Sequence, residues 1–189
     1  LSLAWQEIAR FGRKVVAVGL TSSRFGNISQ RQGEKIHITC TGSMLDELDQ
    51  SLIVEVERRG PCELDRQASS ETCVHRSIYQ STPARAVIHT HSPFAVALSL
   101  LEREAVEPLD SEGIIFLGAM PIVEGHFGSE DLAAAVSSAM QSHKACIARG
   151  HGVFAAGSSL SDAFTFACMA EHSAKVRYLV KAYPSCERV

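Results

Sequence analysis

Two histidines one residue apart close an apolar run, Ala86-Val87-Ile88-His89-Thr90-His91. In an extended segment side chains two apart leave the same face, so His89 and His91 point toward one site. Paired imidazoles at the end of a buried strand begin a metal site, although a catalytic zinc needs about three protein ligands and an open position. His151, between Gly150 and Gly152, can supply a third nitrogen, because the glycines let the backbone turn tightly and keep bulk away. Glu71 can add a carboxylate oxygen. That donor set suits Zn²⁺ and leaves other divalent first-row ions open. A lone histidine such as His151 is more commonly a hydrogen-bonded structural residue, whereas the His89/His91 pair is awkward to bury without a ligand or partner. His75 lies four residues after Glu71, on the same helix face, and either competes as a ligand or supports one. His37, His126, His143 and His172 are expected on surface or polar faces.

A second chemistry is anion binding. Gly26-Asn27, Thr41-Gly42-Ser43 and Ser69-Ser70 offer hydroxyls, an amide and exposed backbone N–H groups, the last at a helix start where anions are favoured. Any one of them alone also fits a turn or a cap. Convergence of all three on one anion would make a phosphate cradle without a Walker-type motif.

The elements that must position these groups follow from periodicity. Residues 2–19 are apolar at helical spacing, with Gly19 as a stop. Residues 24–29 and 35–40 alternate like a hairpin, 51–57 like a third strand. A serine-capped helix is expected to about Ser81, broken by Pro83, and the His89/His91 strand should feed a helix from Pro93 to about Glu104. Between Pro108 and Phe127, apolar pieces 114–117 and 121–123 cut by glycines suggest edge strands and loops. Gly128-Ser129-Glu130-Asp131 opens an alanine-rich helix to about Ser142, 145–148 is a short buried strand, and a long helix covers 161–182. Without repeat or linker, the 189 residues suggest one α/β domain with a mixed sheet covered by helices.

Composition is consistent with this: 46% hydrophobic, 21% charged, net charge −3. No Lys/Arg block points to nucleic acid, and no apolar run is long enough to span a bilayer. The six cysteines (Cys40, Cys62, Cys73, Cys146, Cys168, Cys186) show no CxxC or framework spacing, so reduced thiols, most of them in the core, and a cytoplasmic setting are expected.

In this order, Gly26-Asn27-Ile28-Ser29, Ile38-Thr39 with Thr41-Gly42, Ser69-Ser70-Glu71 with His75 and Tyr79, His89-Thr90-His91 and Gly150-His151-Gly152 resemble the class II aldolase/adducin family, the group of L-fuculose-1-phosphate aldolases and L-ribulose-5-phosphate 4-epimerases. The resemblance runs from about residue 5 to residue 180. It implies a three-layer α/β/α fold with a largely antiparallel mixed sheet, and Zn²⁺ held by His89, His91 and His151 with Glu71 as fourth ligand and acid/base. It also implies a substrate phosphate held by Asn27, Thr41, Gly42, Ser69 and Ser70 with the backbone at Gly26, and a homotetramer with sites at subunit interfaces.

The activity so implied is reversible cleavage of a phosphorylated ketose to dihydroxyacetone phosphate and an aldehyde through a metal-stabilised enediolate. Glu71, where the similar 4-epimerases carry aspartate, favours aldolase. An epimerase, a dehydratase or decarboxylase on the same scaffold, and a non-catalytic adducin-like module are the alternatives. Two features depart from the resemblance. Residues 105–118 contain no tyrosine, and the chain ends soon after its last helix, where Tyr178 and Tyr183 lie. The aldehyde-side proton donor is therefore unassigned, with Asp110, Glu112 and His126 as weak candidates.

Overall fold

Amphipathic spacing and strand alternation resolve into eight strands between two helical layers in the computed structural model, which describes residues 3–183. The strands are β1 (Asn27–Gln32), β2 (Lys35–Thr39), β3 (Ile53–Glu57), β4 (Ala86–Thr90), β5 (Ala105–Val106), β6 (Met120–Val123), β7 (Ala145–Ala148) and β8 (Gly152–Gly157). They order as β3-β2-β1-β4-β8-β7-β6-β5. Every neighbouring pair is antiparallel except β6 with β7, which gives the expected mixed, largely antiparallel sheet.

The helices are α1 (Ala4–Ala17), α2 (Thr72–Ser81), α3 (Pro93–Leu101), α4 (Glu130–Met140) and α5 (Leu160–Ala182). Helices α1, α3 and α5 cover one face, where Ile8, Phe11, Leu98 and Ala167 pack on Ile28, Ile88 and Ile147. Helices α2 and α4 cover the other, where Val74, Ile78, Leu132 and Val136 pack on Ile36, Val87 and Phe154. Central strand β4 is buried throughout, because both of its faces are covered. Its residues alternate between the two cores, so Val87 and His89 face the α2/α4 side.

Helix ends are held by identifiable caps. Ser129 Oγ accepts from the Leu132 N–H at 3.1 Å, and Ser159 Oγ accepts from the Asp162 N–H at 3.1 Å. Helix α3 lacks a side-chain cap of its own. The Glu171 carboxylate reaches across from α5 to accept from the N–H groups of Phe94 and Ala95, each at 3.0 Å, at the positive end of the helix dipole.

Several expectations are corrected. The first hairpin strand spans Asn27–Gln32 rather than 24–29. Gly26 has φ +87°, and a Cβ there would stand 2.5 Å from the His89 carbonyl oxygen, so the chain turns through this glycine before extending. The run Gly113–Leu117 forms a π-helical turn, not an edge strand. Asp110 Oδ2 accepts from the Gly113 N–H at 2.8 Å, and the chain coils there with Ile114, Ile115 and Phe116 exposed. Helix α2 begins at Thr72 without a side-chain cap, Ser69 Oγ instead accepting from the Glu71 N–H at 3.3 Å. Helix α3 stops at Leu101, short of Glu104. Strand β8 carries no periodic signal distinct from the glycine-rich turn before it, and only its pairing with β4 and β7 identifies it.

His37 is buried rather than superficial, because it points to the sheet face that α1 covers; burial lowers its pKa against the opposing pull of Glu55. Of the five cysteines among the described residues all are free, and only Cys146 is fully buried; the others sit half-exposed at the edges of the core, and Cys186 lies outside the described residues. Among the described residues no helix is long and apolar enough to cross a membrane.

Candidate metal centre and phosphate cradle

The three histidines meet. Ligand atoms of His89, His91 and His151 all lie within 4.8 Å of one another, and their ring centroids are 4.8 to 5.0 Å apart. His89 comes from the end of β4, and His91 from the residue just beyond it. The turn that follows is pinned by Thr90 Oγ1 and Ser92 Oγ at 2.8 Å, with Ser92 Oγ donating to the Leu20 carbonyl at 3.2 Å. His151 sits on the tight turn from β7 to β8. There the Gly150 N–H donates to Ser99 Oγ at 2.9 Å, and the Arg149 guanidinium donates to the Glu102 carbonyl at 2.9 Å and the Arg103 carbonyl at 2.7 Å. Arg149 thus supplies the carbonyls at the end of α3 with donors and ties the His151 turn to that helix. Gly152 is required by close approach: a Cβ there would lie 2.3 Å from the Thr90 carbonyl oxygen and 2.8 Å from His89 Cε1.

Glu71, at the entrance to α2, completes the group. Its Oε2 is 3.1 Å from His89 Nε2 and its Oε1 is 3.8 Å from His151 Nε2. Which His89 nitrogen carries a proton follows from its other partner: Nδ1 is 2.9 Å from the Val153 carbonyl, which only accepts, so Nδ1 donates. In neutral His89, Nε2 is then a lone pair aimed at a carboxylate oxygen. Two acceptors in that relation need a cation or a proton between them. Glu71 Oε1, His89 Nε2 and His151 Nε2 are also buried without hydrogen-bond partners. Three buried polar atoms left without partners in one place cost several kcal/mol between them unless satisfied.

The electrostatics agree. Burial, with the neighbouring imidazoles, holds His89 well below the usual histidine range; burial lowers His91, and burial with His91 lowers His151 to about 4. All three are neutral donors at pH 7, the form a metal needs. Burial pushes Glu71 up to about 7, against the Asn27 hydrogen bond that lowers it. A carboxylate so strained by desolvation is stabilised by a nearby dication. The residues present therefore fit a divalent metal.

Two of the polar clusters lie on neighbouring segments. Cys40 and Ala68 bridge as antiparallel partners, with the Thr41 N–H donating to Gln67 O and the Ser69 N–H to Thr39 O, each at 3.0 Å. This lays Thr41 beside Gln67 and Thr39 beside Ser69, so Thr41-Gly42 and Ser69-Ser70 leave the bridge in opposite directions. Thr41, Gly42 and Ser70 are exposed, and a cavity of about 490 Å³ borders Ser69 and Ser70 without touching His89, His91 or His151. Asn27 stands opposite His89 in the β1/β4 register and is buried. Its Nδ2 donates to Glu71 Oε2 at 2.9 Å, so this amide faces the carboxylate, where the sequence suggests a phosphate contact alone.

Asp110, Glu112 and His126 are not part of the histidine group. Asp110 is bound to Gly113, Glu112 is exposed beside Ser111, and His126 is exposed one residue before Phe127. Tyr178 packs edge-on against Phe94, and Tyr183 is exposed at the end of α5; residues 184–189 lie outside the described chain. Sequence reasoning missed three phenylalanines. Phe154 stacks on His89 at 4.1 Å, while exposed Phe25 stacks on His91 at 5.4 Å and exposed Phe127 meets His151 edge-on at 5.3 Å. Phe25 is adjacent to the Gly26 turn and Phe127 to Gly128, the only local signal that either lies at a mouth.

Comparison with known proteins agrees with this architecture. The family model for the class II aldolase and adducin N-terminal domain matches residues 6–178. The chain is 34% identical to an L-fuculose phosphate aldolase of Methanocaldococcus jannaschii, over 82% of this chain and 84% of that protein. It is 32% identical to a 5-methylthioribulose-1-phosphate/5-deoxyribulose-1-phosphate aldolase of Rhodospirillum rubrum, over 86% and 75%. The crystal structure of L-fuculose-1-phosphate aldolase from Thermus thermophilus superposes with TM-score 0.91 and 31% identity, covering 98% of each chain. The protein belongs to the class II aldolase and adducin family and stands among its enzymes. Relatives of other activity share the scaffold, among them a 3-oxo-tetronate 4-phosphate decarboxylase of Haemophilus influenzae at 28% identity over 95% of this chain and 89% of that protein.

Proposed function

We propose that the protein is a zinc-dependent aldolase that reversibly cleaves a phosphorylated ketose, of the L-fuculose-1-phosphate kind, to dihydroxyacetone phosphate and an aldehyde. The observation that carries the reading is the convergence of three neutral imidazoles beside a buried carboxylate, with Glu71 Oε1, His89 Nε2 and His151 Nε2 all lacking a hydrogen-bond partner. His89, His91 and His151 hold the ion, and Glu71 is its fourth ligand. The ion supplies Lewis acidity toward the carbonyl and hydroxyl oxygens of the ketose.

The chain's own groups do the rest. Thr41, Gly42, Ser69 and Ser70, with Asn27 and the backbone at Gly26, bind the phosphate and fix the far end of the substrate, so binding energy there positions the reacting carbons. Glu71, a buried carboxylate beside the ion's place, is suited to carry a proton to and from the carbon adjoining the broken bond. Phe154 and the wall of β4 and β8 keep water from the inner side of His89. The names of the M. jannaschii and R. rubrum relatives, both phosphoketose aldolases, support the reaction class. The homotetramer with sites at subunit interfaces and the cytoplasmic setting are part of the same proposal; sedimentation of the purified enzyme tests the first.

The experiment is metal analysis followed by measurement of dihydroxyacetone phosphate release, and of condensation with a panel of aldehydes, in the presence of Zn²⁺. Glu71→Gln is expected to retain metal and lose cleavage. Unchanged activity in that variant refutes the assignment. A second reading, decarboxylation of a phosphorylated oxo acid, is favoured by the absence of a tyrosine between residues 105 and 118 and by the H. influenzae relative. Carbon dioxide release from such an acid without aldol cleavage identifies it.

A further inference from the structure

Behind Glu71, away from the histidine cluster, Asn27 heads a row of buried polar groups whose other members the proposed reaction does not use. Asn27 Nδ2 contacts Glu71 Oε2 at 2.9 Å, Asn27 Oδ1 contacts His75 Nε2 at 2.5 Å, His75 Nδ1 contacts Ser29 Oγ at 2.6 Å, and Ser29 Oγ contacts Tyr79 Oη at 2.7 Å. Glu71, Ser29, His75 and Tyr79 are fully buried, and Asn27 is nearly so. Strand β1 contributes Asn27 and Ser29 from one face, two residues apart; α2 contributes His75 and Tyr79, four residues apart. The row therefore sits where the α2 face meets the sheet.

The chemistry of its last member sets the direction of the whole row. A carboxylate only accepts, so the Asn27 amino group faces Glu71 and the Asn27 carbonyl faces His75. That carbonyl needs a donor, which His75 Nε2–H provides. Nδ1 of a neutral imidazole is then an acceptor, taken by the Ser29 hydroxyl, whose oxygen in turn accepts from the Tyr79 hydroxyl. Every donor points one way, toward Glu71. A buried imidazole with no anion in contact stays neutral, as this direction requires.

We propose that His75 is a positioning residue: as the neutral Nε2–H tautomer, backed by Ser29 and Tyr79, it locks the Asn27 amide so that its amino group holds the Glu71 carboxylate in place beside the histidines. This rests on the reading of Glu71 as metal ligand and acid/base. The row explains why Asn27, an amide whose two ends are nearly equal in shape, does not rotate to set its carbonyl against the carboxylate. It also makes α2 a rigid arm, carrying Glu71 at its start and the residues that orient it one and two turns on.

The test pairs histidine ¹⁵N NMR with two substitutions in the zinc-loaded protein. Long-range ¹H–¹⁵N spectra are expected to show His75 as the neutral Nε2–H tautomer from pH 6 to 8; a Nδ1–H tautomer or an imidazolium there overturns the proposal. His75→Phe keeps the ring's bulk and removes both hydrogen bonds, and is expected to lower kcat by roughly tenfold or more, the usual cost of losing a group that orients a metal ligand, with KM changed less. His75→Gln, whose amide can donate to Asn27 and accept from Ser29, is expected to recover most of that loss. Equal losses in both variants, or wild-type kcat in both, overturn the positioning role. If His75→Phe does not fold, Ser29→Ala serves: it removes the donor to Nδ1 and is expected to mix the tautomers of His75, and an unchanged spectrum counts against the proposal. A wild-type protein that cleaves no phosphoketose defeats the aldolase reading but leaves the tautomer measurement standing.

Discussion

Replacing Glu71 with Gln should change how the metal-free protein responds to pH. The carboxyl is buried and raised from 4.5 to about 7, so the folded state takes up its proton more readily than the unfolded chain. Stability from this group is then fully present below pH 4.5, declines as the unfolded chain ionises, and levels off above pH 7. At about 1.4 kcal/mol per pKa unit, the loss across the window is roughly 3 kcal/mol, of which roughly 2 to 3 kcal/mol falls between pH 5 and pH 8. Glu71→Gln removes this term and keeps the shape. Its stability relative to wild type should rise by that amount from pH 5 to pH 8, read by urea denaturation in the presence of a chelator. The histidines work in the opposite sense: with folded pKa values below 6.5, their contribution falls as pH drops, but both proteins share that term and it cancels in the difference. With Zn²⁺ in excess the order should reverse, because only the wild type offers a carboxylate to the ion. Parallel curves for the two proteins from pH 5 to pH 8, without metal, would mean that Glu71 is not desolvated and that the strained-carboxylate reasoning is wrong.

The histidine cluster and the turns around it are open to similar tests. His91→Ala should lose both bound metal and activity, checked by metal content after dialysis, because two nitrogens and one carboxylate leave the ion a ligand short of the histidine cluster. Gly152→Ala should destabilise the fold by about 1 to 3 kcal/mol and weaken zinc binding, since its Cβ would meet the Thr90 carbonyl oxygen at 2.3 Å and press on the His89 ring; thermal melting and chelator competition read the two effects. Thr41→Ala or Ser70→Ala should raise KM for a phosphorylated ketose by about tenfold with a smaller change in kcat, the loss of one hydrogen bond to an anion. A fall in kcat at unchanged KM would place the phosphate elsewhere.

Much of the fold and the site was legible before folding, and for local reasons. Helices α1, α4 and α5 show in apolar spacing with stops or caps beside them, and β4 shows as an apolar run ending in two histidines whose shared direction follows from the two-residue period of a strand. The histidine pair, His151 between glycines and the three small polar clusters are visible as residue types, and the order in which they occur carries the family resemblance. What local pattern cannot supply is partnership across the sheet. Strand β8 has no signal apart from its neighbours, the 113–117 turn coils because Asp110 caps it, and His37 is buried because α1 lies over it. Asn27 becomes a partner of Glu71 only because β1 runs antiparallel to β4 with Asn27 opposite His89, and His75 becomes a support rather than a ligand only because α2 packs with that face on Ser29. The sequence by itself determined which groups could bind a metal and a phosphate, since donor chemistry belongs to residue types. Tertiary structure alone decided which of them face one another, because contacts between residues 44 to 64 positions apart, from Asn27 to Glu71 and from His89 to Val153, exist only once the sheet has closed its register.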